Sequence, residues 1–437
     1  MSLDELRSRV LADPDDVETR AVYADALSER GDARGELVAL GCALAAVPTI
    51  DALVASNLTG EALAAAAAQH RRMRVLGAQD LQRWQRELGH SYPKLLVDGV
   101  YAGFVTTLKM ELETPADVAM LRDILRRTPI DDLTIRTQVD PGEPMHGVRR
   151  LSVDGFRPPI RAVNTFAKLR ALSIASLDHV TPAEIAALAI PEELAVFAKD
   201  PALIVAIAKH RHLKRLRISS APIDPLVGLD LDELRLGWST STTVPAGFRI
   251  PRKLDLQRSP TALFAMFADA RALRELRVGI APGVHRVLEA PRLESLVFVE
   301  GEGRKLDART IAALSEARGL RHLDVLDTIL PKLALREILD RDPLVALHAG
   351  NDASELVALA TPTIREIRFC GEITEELAQQ IVDRMPQLRR IVFARASVSG
   401  DALAVLMKLP QIVEIRGLGG VVQMSAIRDH HSLAAIA

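Results

Sequence analysis

The chain has 437 residues, 55 Lys+Arg against 57 Asp+Glu for a formal net charge of −2, 48% hydrophobic residues and only 3% aromatic ones. That length exceeds what one compact core holds and points to two domains or an elongated repeat array. The near-zero charge gives no whole-chain pull toward nucleic acid or anionic membrane.

The start MSLDELRSRV carries no apolar signal core, and no later run approaches the roughly 18 apolar residues of a membrane span. With Cys42 and Cys370 as the two cysteines, the expected setting is the cytoplasm with reduced thiols and no membrane partner.

Residues 20–40, RAVYADALSERGDARGELVAL, pack acids, arginines and two glycines together. Asp13 is placed to cap a helix opening at Pro14, with Asp15 and Asp16 against the positive end of its dipole. Val22, Ala26 and Ser28 fall close to one side of that helix. Gly31 sits where a left-handed C-terminal cap ends it, and Asp32 is placed to cap a second helix from about Ala33. ERGDARGE is then a helix–turn–helix corner, its acids Asp25, Glu29, Asp32 and Glu36 capping helices or pairing with Arg20, Arg30 and Arg34. The alternative is an acidic site for a cation or substrate.

From residue 105 the chain repeats a hexapeptide frame: apolar, two variable residues, apolar, one variable, apolar. Copies start at Val105 (VTTLKM), Ile130 (IDDLTI), Val148 (VRRLSV), Leu169 (LRALSI), Pro191 (PEELAV), Leu213 (LKRLRI), Leu231 (LDELRL), Pro251 (PRKLDL), Leu273 (LRELRV), Leu293 (LESLVF), Leu320 (LRHLDV), Ile364 (IREIRF) and Leu388 (LRRIVF). Degenerate copies lie near Leu344 and Ile412. Fifteen starts between 105 and 412 give about 22 residues per repeat, with spacings from 18 to 27.

This pattern resembles the leucine-rich repeat family. In each copy the alternation makes a short strand whose second and third apolar residues point inward and whose intervening residues point outward. Helical stretches such as TPAEIAALA (181–189), TALFAMFADA (261–270), DARTIAALSEA (307–317) and TEELAQQIVDRM (374–385) return the chain, several behind a Thr or Asp cap. Where the family closes its turn with Asn or Cys, this chain holds Phe156, Leu177, Ala221, Ser239, Ser259, Ala281, Thr328 and Ala396, so no asparagine ladder is expected there.

The predicted fold class is α/β: an irregular leucine-rich-repeat-like solenoid with a parallel sheet, one strand and one helix per repeat, and an α-helical N-terminal cap. Curvature is expected to vary, with 326–350 as the place for a break. The expected boundaries are a helical N-terminal capping domain at 1–100, the solenoid at 101–420 and a C-terminal cap or tail at 421–437.

Residues 1–45 resemble the repeat-companion domain found beside leucine-rich repeats in myxobacterial and planctomycete proteins. The match rests on LADPDD (11–16), VYAD (22–25), ERGD (29–32) and RGE (34–36), and extends through 70–88 and AGFV (102–105). The family commonly has Trp where this chain has Ala26. The resemblance implies a bacterial protein and brings no catalytic residue with it.

Catalytic signatures such as GxSxG, HExxH, GxxxxGK[ST], paired CxxC and GxGxxG are absent from the sequence. GLGG (417–420) reads as a turn, and His210, His212, His430 and His431 lack a third ligand at metal spacing. Cys42 is placed in an Ala/Leu-rich helix and Cys370 just after a strand, both as small, partly buried hydrophobes. No metal or cofactor is expected.

What remains is the outward face of the sheet. The third repeat position reads Arg215, Glu233, Lys253, Glu275, alternating in sign as a self-neutralising ladder. The fifth reads Arg217, Arg235, Asp255, Arg277, with Arg368 and Arg416 further on. Adjacent like charges need a compensating acid or a ligand, so Arg217, Arg235, Asp255 and Arg277, with Trp238 just beyond, are the candidate partner-binding residues. The competing reading has Glu233 and Glu275 satisfy these arginines and Trp238 cover the core.

The expected function is a non-catalytic protein–protein interaction scaffold binding a protein partner through the concave sheet. The alternatives are an activity in the N-terminal helical domain, or an acidic ligand on the arginine row; the net charge argues against nucleic acid. Partner identity and oligomeric state are not encoded in one sequence.

Overall fold

The structure is a computed structural model that describes residues 1–418 except 90–93, 138, 140–144, 146, 155–159, 167–168, 176, 178, 199, 240, 242, 257–260, 300–305, 326–327, 342–343 and 410. The side chains of 87, 89, 161–162, 219–221, 238–239, 261–262, 265, 269, 395 and 418 are likewise not described. The chain divides into two compact units: residues 1–46, 72–235 and 245–249 in the first, and 47–71, 236–244 and 250–437 in the second.

The first unit opens with α1 (Leu3–Ala12), α2 (Val17–Ser28) and α3 (Arg34–Ala43). The second begins with α4 (Ile50–Ala55), and the chain re-enters the first along α5 (Gly60–Gly89). Strands and returns then alternate: β1 (Leu95–Tyr101), β2 (Phe104–Leu112), α6 (Pro115–Arg127), β3 (Asp132–Thr137), β4 (Arg150–Asp154), β5 (Ala171–Ile174), α7 (Pro182–Ala186), β6 (Glu193–Val196), α8 (Pro201–Ile207) and β7 (Arg215–Ala221).

The chain passes between units within β8 (Glu233–Ser239). The second unit continues with β9 (Lys253–Leu256), β10 (Glu275–Gly279), β11 (Ser295–Val299), α9 (Ala308–Glu316), β12 (His322–Asp324), α10 (Lys332–Arg341) and β13 (Ala346–Asp352). It closes with α11 (Ala353–Leu359), β14 (Glu366–Ile373), α12 (Glu375–Arg384), β15 (Arg390–Val398), α13 (Gly400–Leu406) and β16 (Glu414–Leu418).

β1 pairs antiparallel with β2; from β2 to β7 and from β9 to β16 each strand pairs in parallel with the strand before it in the chain. In the first unit Thr107, Asp132, Arg150, Ala171, Glu193 and Arg215 face one another in succession. Glu233 N–H donates to Lys214 O at 3.1 Å, carrying this register into β8.

In the second unit the same position runs through Lys253, Glu275, Ser295, His322, Ala346, Glu366, Arg390 and Glu414. Each of these residues is the third of its hexapeptide copy. The repeat frame and the hydrogen-bonded register are therefore one and the same, as a period-2 strand with one buried face demands.

The fourth-position residues from Leu108 to Ile391, among them Leu133, Leu216, Leu276 and Ile367, are at most 3% exposed. The longer α-helices, α6, α9, α10 and α12, all lie in repeats of 24 or more residues; the other returns are α-helices of five to seven residues, α13 among them, or 3₁₀ turns at Ile160–Thr165, Asp224–Leu226, Thr261–Asp269 and Val284–Glu289. TALFAMFADA is thus a 3₁₀ stretch where a helix was expected. A 3₁₀ turn rises ~2.0 Å per residue against ~1.5 Å, so a short repeat spans the same distance with fewer residues.

The expected break near 326–350 does not interrupt the pairing, since β12 and β13 run parallel through His322↔Ala346 and Asp324↔His348. Buried Asn351 supports this point: its side-chain oxygen accepts from Leu330 N–H at 2.9 Å, and its amide donates to Leu330 O at 2.8 Å. Leu177, Thr328 and Ala396, at the turn position of the missing asparagine ladder, are buried as well.

Two N-terminal expectations shift. Asp13 closes α1 and Pro14 lies in the turn; Asp16 caps α2, accepting from Glu18 and Thr19 N–H at 3.0 and 3.1 Å, because its carboxylate reaches the second and third amides of a helix opening at Val17. The buried face of α2 is Tyr23, Ala24 and Leu27, packed on Leu6, Val10, Val38 and Phe104, while Val22 is 50% exposed. Tyr23 stacks on Phe104 at 5.9 Å. Gly31, at φ 71°, ends the corner as expected. Gly35 lets α3 approach α2, for a Cβ there would lie 2.8 Å from Ala24 O.

The alternation gives a direct test in urea unfolding. Leu216→Ala removes a 1%-exposed side chain and is expected to cost about 2–5 kcal/mol. Its exposed neighbour Arg217→Ala should stay within about 0.5 kcal/mol of wild type.

Candidate functional site

In the N-terminal corner two of the four acids, Asp32 and Glu36, are occupied. Asp32 holds Arg34 through both carboxylate oxygens, and Glu36 binds Arg72 at 2.7 and 3.0 Å. Arg34 is therefore a partner as expected, whereas Glu36 takes Arg72 from α5. The perturbed acid of this region is Asp80 on α5, 5% exposed, whose carboxyl is pushed up by burial and partly restored by Arg83 and Arg34. It forms an ion pair with Arg83, whose guanidinium lies 5.9 Å from the Trp84 ring. This cluster joins α5 to the ERGDARGE corner, which makes it a tie between helices.

The expected metal candidates are tied down too. His210 and His212 each direct Nε2 at a backbone carbonyl, of Ile185 and Ile190. His430, His431, Gly419 and Gly420 lie outside the described residues. Among the described residues no group of three His, Cys, Asp or Glu side chains is placed to hold a metal ion, and none of the described helices is long and apolar enough to cross a membrane. Cys42 and Cys370 are free and half-buried; Cys370 lies within β14.

The arginine row divides between the units. Arg217 and Arg235 belong to the first; Trp238, Asp255 and Arg277 belong to the second. In the first unit Arg215 pairs with Glu193 at 2.9 Å within the third-position ladder, while Glu233 serves Arg235 of the fifth position at 2.5 Å. Arg217, exposed between them, has no hydrogen-bond or ion-pair partner among the described residues.

In the second unit Asp255 is 7% exposed and stands opposite the exposed Arg277. Glu275 pairs with Lys253 at 2.9 Å instead of serving an arginine. Trp238 lies in β8, and its side chain is outside the described ones.

Further along the second unit the outward face carries a network that the sequence reading passed over. His348 directs Nδ1 at Asp324 and Nε2 at Glu366, both at 3.1 Å. Glu366 accepts from Arg390 Nη1 at 3.1 Å, and Arg390 Nε donates to Glu414 at 2.7 Å. Arg390 also reaches Asp51 on α4, and Glu414 receives Arg416 at 2.7 Å.

Both ring nitrogens of His348 face carboxylates, so the imidazolium is the form that satisfies them. Burial pulls its pKa down, yet the hydrogen bonds and charges of Asp324 and Glu366 prevail and raise it from 6.5 to about 9. Burial pushes Glu366 up, but His348 and Arg390 prevail and bring it from 4.5 to about 2. The ring of His322 lies 5.7 Å from that of His348; burial, then the neighbouring cation, lowers its pKa. Following the third position past Glu275 and the fifth past Arg277 names all of these residues except Asp51.

Beside this face the Arg389 guanidinium, 3% exposed as a residue, donates to Leu53 O at 3.2 Å, Val54 O at 3.0 Å and Ser56 O at 2.7 Å at the end of α4. Arg365 donates to the same Ser56 O at 3.0 Å. Cations on orphan carbonyls of a helix C-terminus are the favourable arrangement. Within the second unit, residues 47–58 are thus held by Arg390 of β15 and by Arg365 and Arg389 in the turns before β14 and β15.

Parallel strands, helical returns and a constant register define an α/β leucine-rich-repeat-like solenoid, with helices at its N-terminal end. No family model matches the chain, and no curated protein matches it. Among solved structures it is similar to an internalin (inlF) from Listeria monocytogenes, with 14% identity over 79% of this chain and 96% of that one and a TM-score of 0.34. It is also similar to a protein from Bacteroides fragilis, with 15% identity over 59% of this chain and 68% of that one and a TM-score of 0.26. At these scores the likenesses carry no argument, and the fold class rests on the register.

The network predicts a pH window for stability. His348, raised in the folded state, contributes fully below about pH 6.5, and its contribution is lost as pH climbs through about 9. Glu366, lowered, contributes above about pH 4.5 and is lost as pH falls toward about 2. Urea unfolding of wild type should therefore be most stable between those limits. His348→Gln should lose on the order of 1–3 kcal/mol near pH 6 and show no alkaline decline across 6.5–9 from this site.

Proposed function

We propose that the chain is a non-catalytic interaction scaffold that binds a protein partner through the outward face of its strands, with Arg217 and Arg235 in the contact. The observation that carries this reading is Arg217: an exposed guanidinium without a partner among the described residues, facing Arg235 across adjacent strands. Side-by-side like charges cost stability, and an incoming acidic group would relieve that cost. Asp255, Arg277 and Trp238 belong to the same reading as contact residues presented by the second unit.

The resemblance of residues 1–45 to the bacterial repeat-companion domain, the two free cysteines and the polar N-terminal helices support a cytoplasmic bacterial protein whose residues 1–100 cap the array. The array occupies 101–420 in this reading, and 421–437 lie outside the described residues. Fold alone does not fix function, so the test is on the face itself.

The double variant Arg217→Glu/Arg235→Glu, checked for an unchanged far-UV circular dichroism spectrum, should lose a protein that wild type recovers from native bacterial cytosol in a quantified pull-down. Equal recovery of that protein by both would place binding elsewhere on the chain.

A further inference from the structure

The returns of the second unit carry an apolar pair that its core does not use. Ile329 and Leu333 are each 69% exposed, the most exposed large hydrophobics among the described residues after Met1. Asn351 holds the backbone of Leu330 between them through two hydrogen bonds, so the pair stands on a fixed turn at the start of α10. A lone exposed aliphatic needs no explanation, whereas two within one turn of chain point to a contact surface.

The surroundings of the pair are basic. α10 opens with Lys332, has no acid in its first turn and places Arg336 one turn on. A cation at the positive end of a helix dipole is unfavourable. Lys332 and Arg336 are both exposed and have no hydrogen-bond or ion-pair partner among the described residues.

The opposite charge lies two helices along the same layer. α11 runs between α10 and α12, and α12 opens with the exposed Glu375, three residues after the exposed Glu372. Neither glutamate has a partner among the described residues. Counted from each helix start, Lys332 corresponds to Glu375, Ile329 to Glu372 and Leu333 to Glu376. The exposed residues of α11 are the small Ser354 and Ala358, four apart on one face. Its capping Asp352 is turned back onto Ser354, accepting from N–H and Oγ at 2.9 and 2.7 Å.

We infer that this layer of returns is the face through which two copies of the chain associate, about a two-fold axis running along α11. Such an axis sets α10 of one copy against α12 of the other and repeats the contact on the far side, so one patch serves as both halves of the interface. Lys332 then meets Glu375 of the second copy, and α11 meets its own equivalent through small side chains that let the helices approach. Ile329 and Leu333 of both copies supply the apolar burial, while the charges set the register and the choice of partner. An anionic lipid surface would satisfy the cations of α10 but set the glutamates of α12 against like charge; a second copy satisfies both. The inference goes beyond the strand-face reading and does not rest on it, since the returns and the outward strand face are different surfaces.

Sedimentation velocity on the full-length chain tests it. Wild type is expected to form a dimer at micromolar concentration. Ile329→Ser/Leu333→Ser, Lys332→Glu/Arg336→Glu and Glu372→Lys/Glu375→Lys should each raise the dissociation constant at least about tenfold. Mixing the two charge-reversed variants in equal amounts should restore the dimer, because every reversed contact then faces its opposite. That recovery also excludes misfolding as the cause of the loss.

A wild type that stays monomeric up to about 100 μM overturns the inference. So does a dimer that the charge-reversed variants leave intact, or a mixture that fails to recover it. Flotation of wild type, but not of Ile329→Ser/Leu333→Ser, with phosphatidylglycerol vesicles would give the patch to a membrane surface and overturn it as well.

Discussion

The zero-shift parallel register is the constraint on which everything else depends. From β2 to β7 and from β9 to β16 each strand pairs third residue to third residue with the next, so within each unit a row of outward side chains is a row of repeat positions. A one-residue slip would turn Leu216 and Leu276 to solvent and bury Arg217 and Arg277. The burial of the fourth and sixth positions thus forbids any other arrangement of the charges. The variable repeat lengths are absorbed by the returns, some α-helical and some 3₁₀, and the strand rows within each unit are left undisturbed.

Given that register, the outward charges must resolve among themselves or with a ligand. In the second unit they resolve almost completely. The chain Asp324, His348, Glu366, Arg390, Glu414, Arg416 alternates acid and base, and each contact satisfies the next. Such a network is enclosed, with Arg390 and Glu414 side chains only 8% and 9% exposed, and removing one member would leave a buried charge uncompensated. Asp51 from the N-terminal segment joins it, and Arg389 grips the carbonyls at the end of the same helix. That face is committed to holding its own unit together.

Much of this was legible in the residues. The fifteen starts gave the position of every strand from β2 to β16, because a period-2 alternation with an inward Leu pair has a single reading. Thr181, Asp307 and Thr374 marked the helix starts where they occur, since a side-chain oxygen ahead of a helix has one local use. The α2 cap was misplaced by three residues, as DPDD offers three carboxylates and only the geometry selects Asp16. The buried network was missed for a different reason. His322, Asp324, His348 and Glu366 come from three repeats, the middle one degenerate, and only the register brings them together. Asn351 escaped because it lies outside the position where the family's asparagine stands, although it performs the same backbone service for Leu330.

The contrast between the two sets of outward charges bears directly on where a partner would bind. A face whose charges cancel has little to gain from a ligand, since an incoming ion must first break contacts that are already made and partly desolvated. A face with one charge left over gains a contact and breaks none. In the first unit the pairings Arg215 with Glu193 and Arg235 with Glu233 use up both acids and isolate Arg217. The isolation follows from arithmetic along β6 to β8: three arginines against two glutamates on the outward positions, with Ala195 where a third acid would have closed the ladder. Placing an acid at that position, as in Ala195→Glu, would complete the ladder and remove the reason for an acidic partner to bind there, whereas the same change would leave the inward Leu and Val residues and hence the strand itself in place.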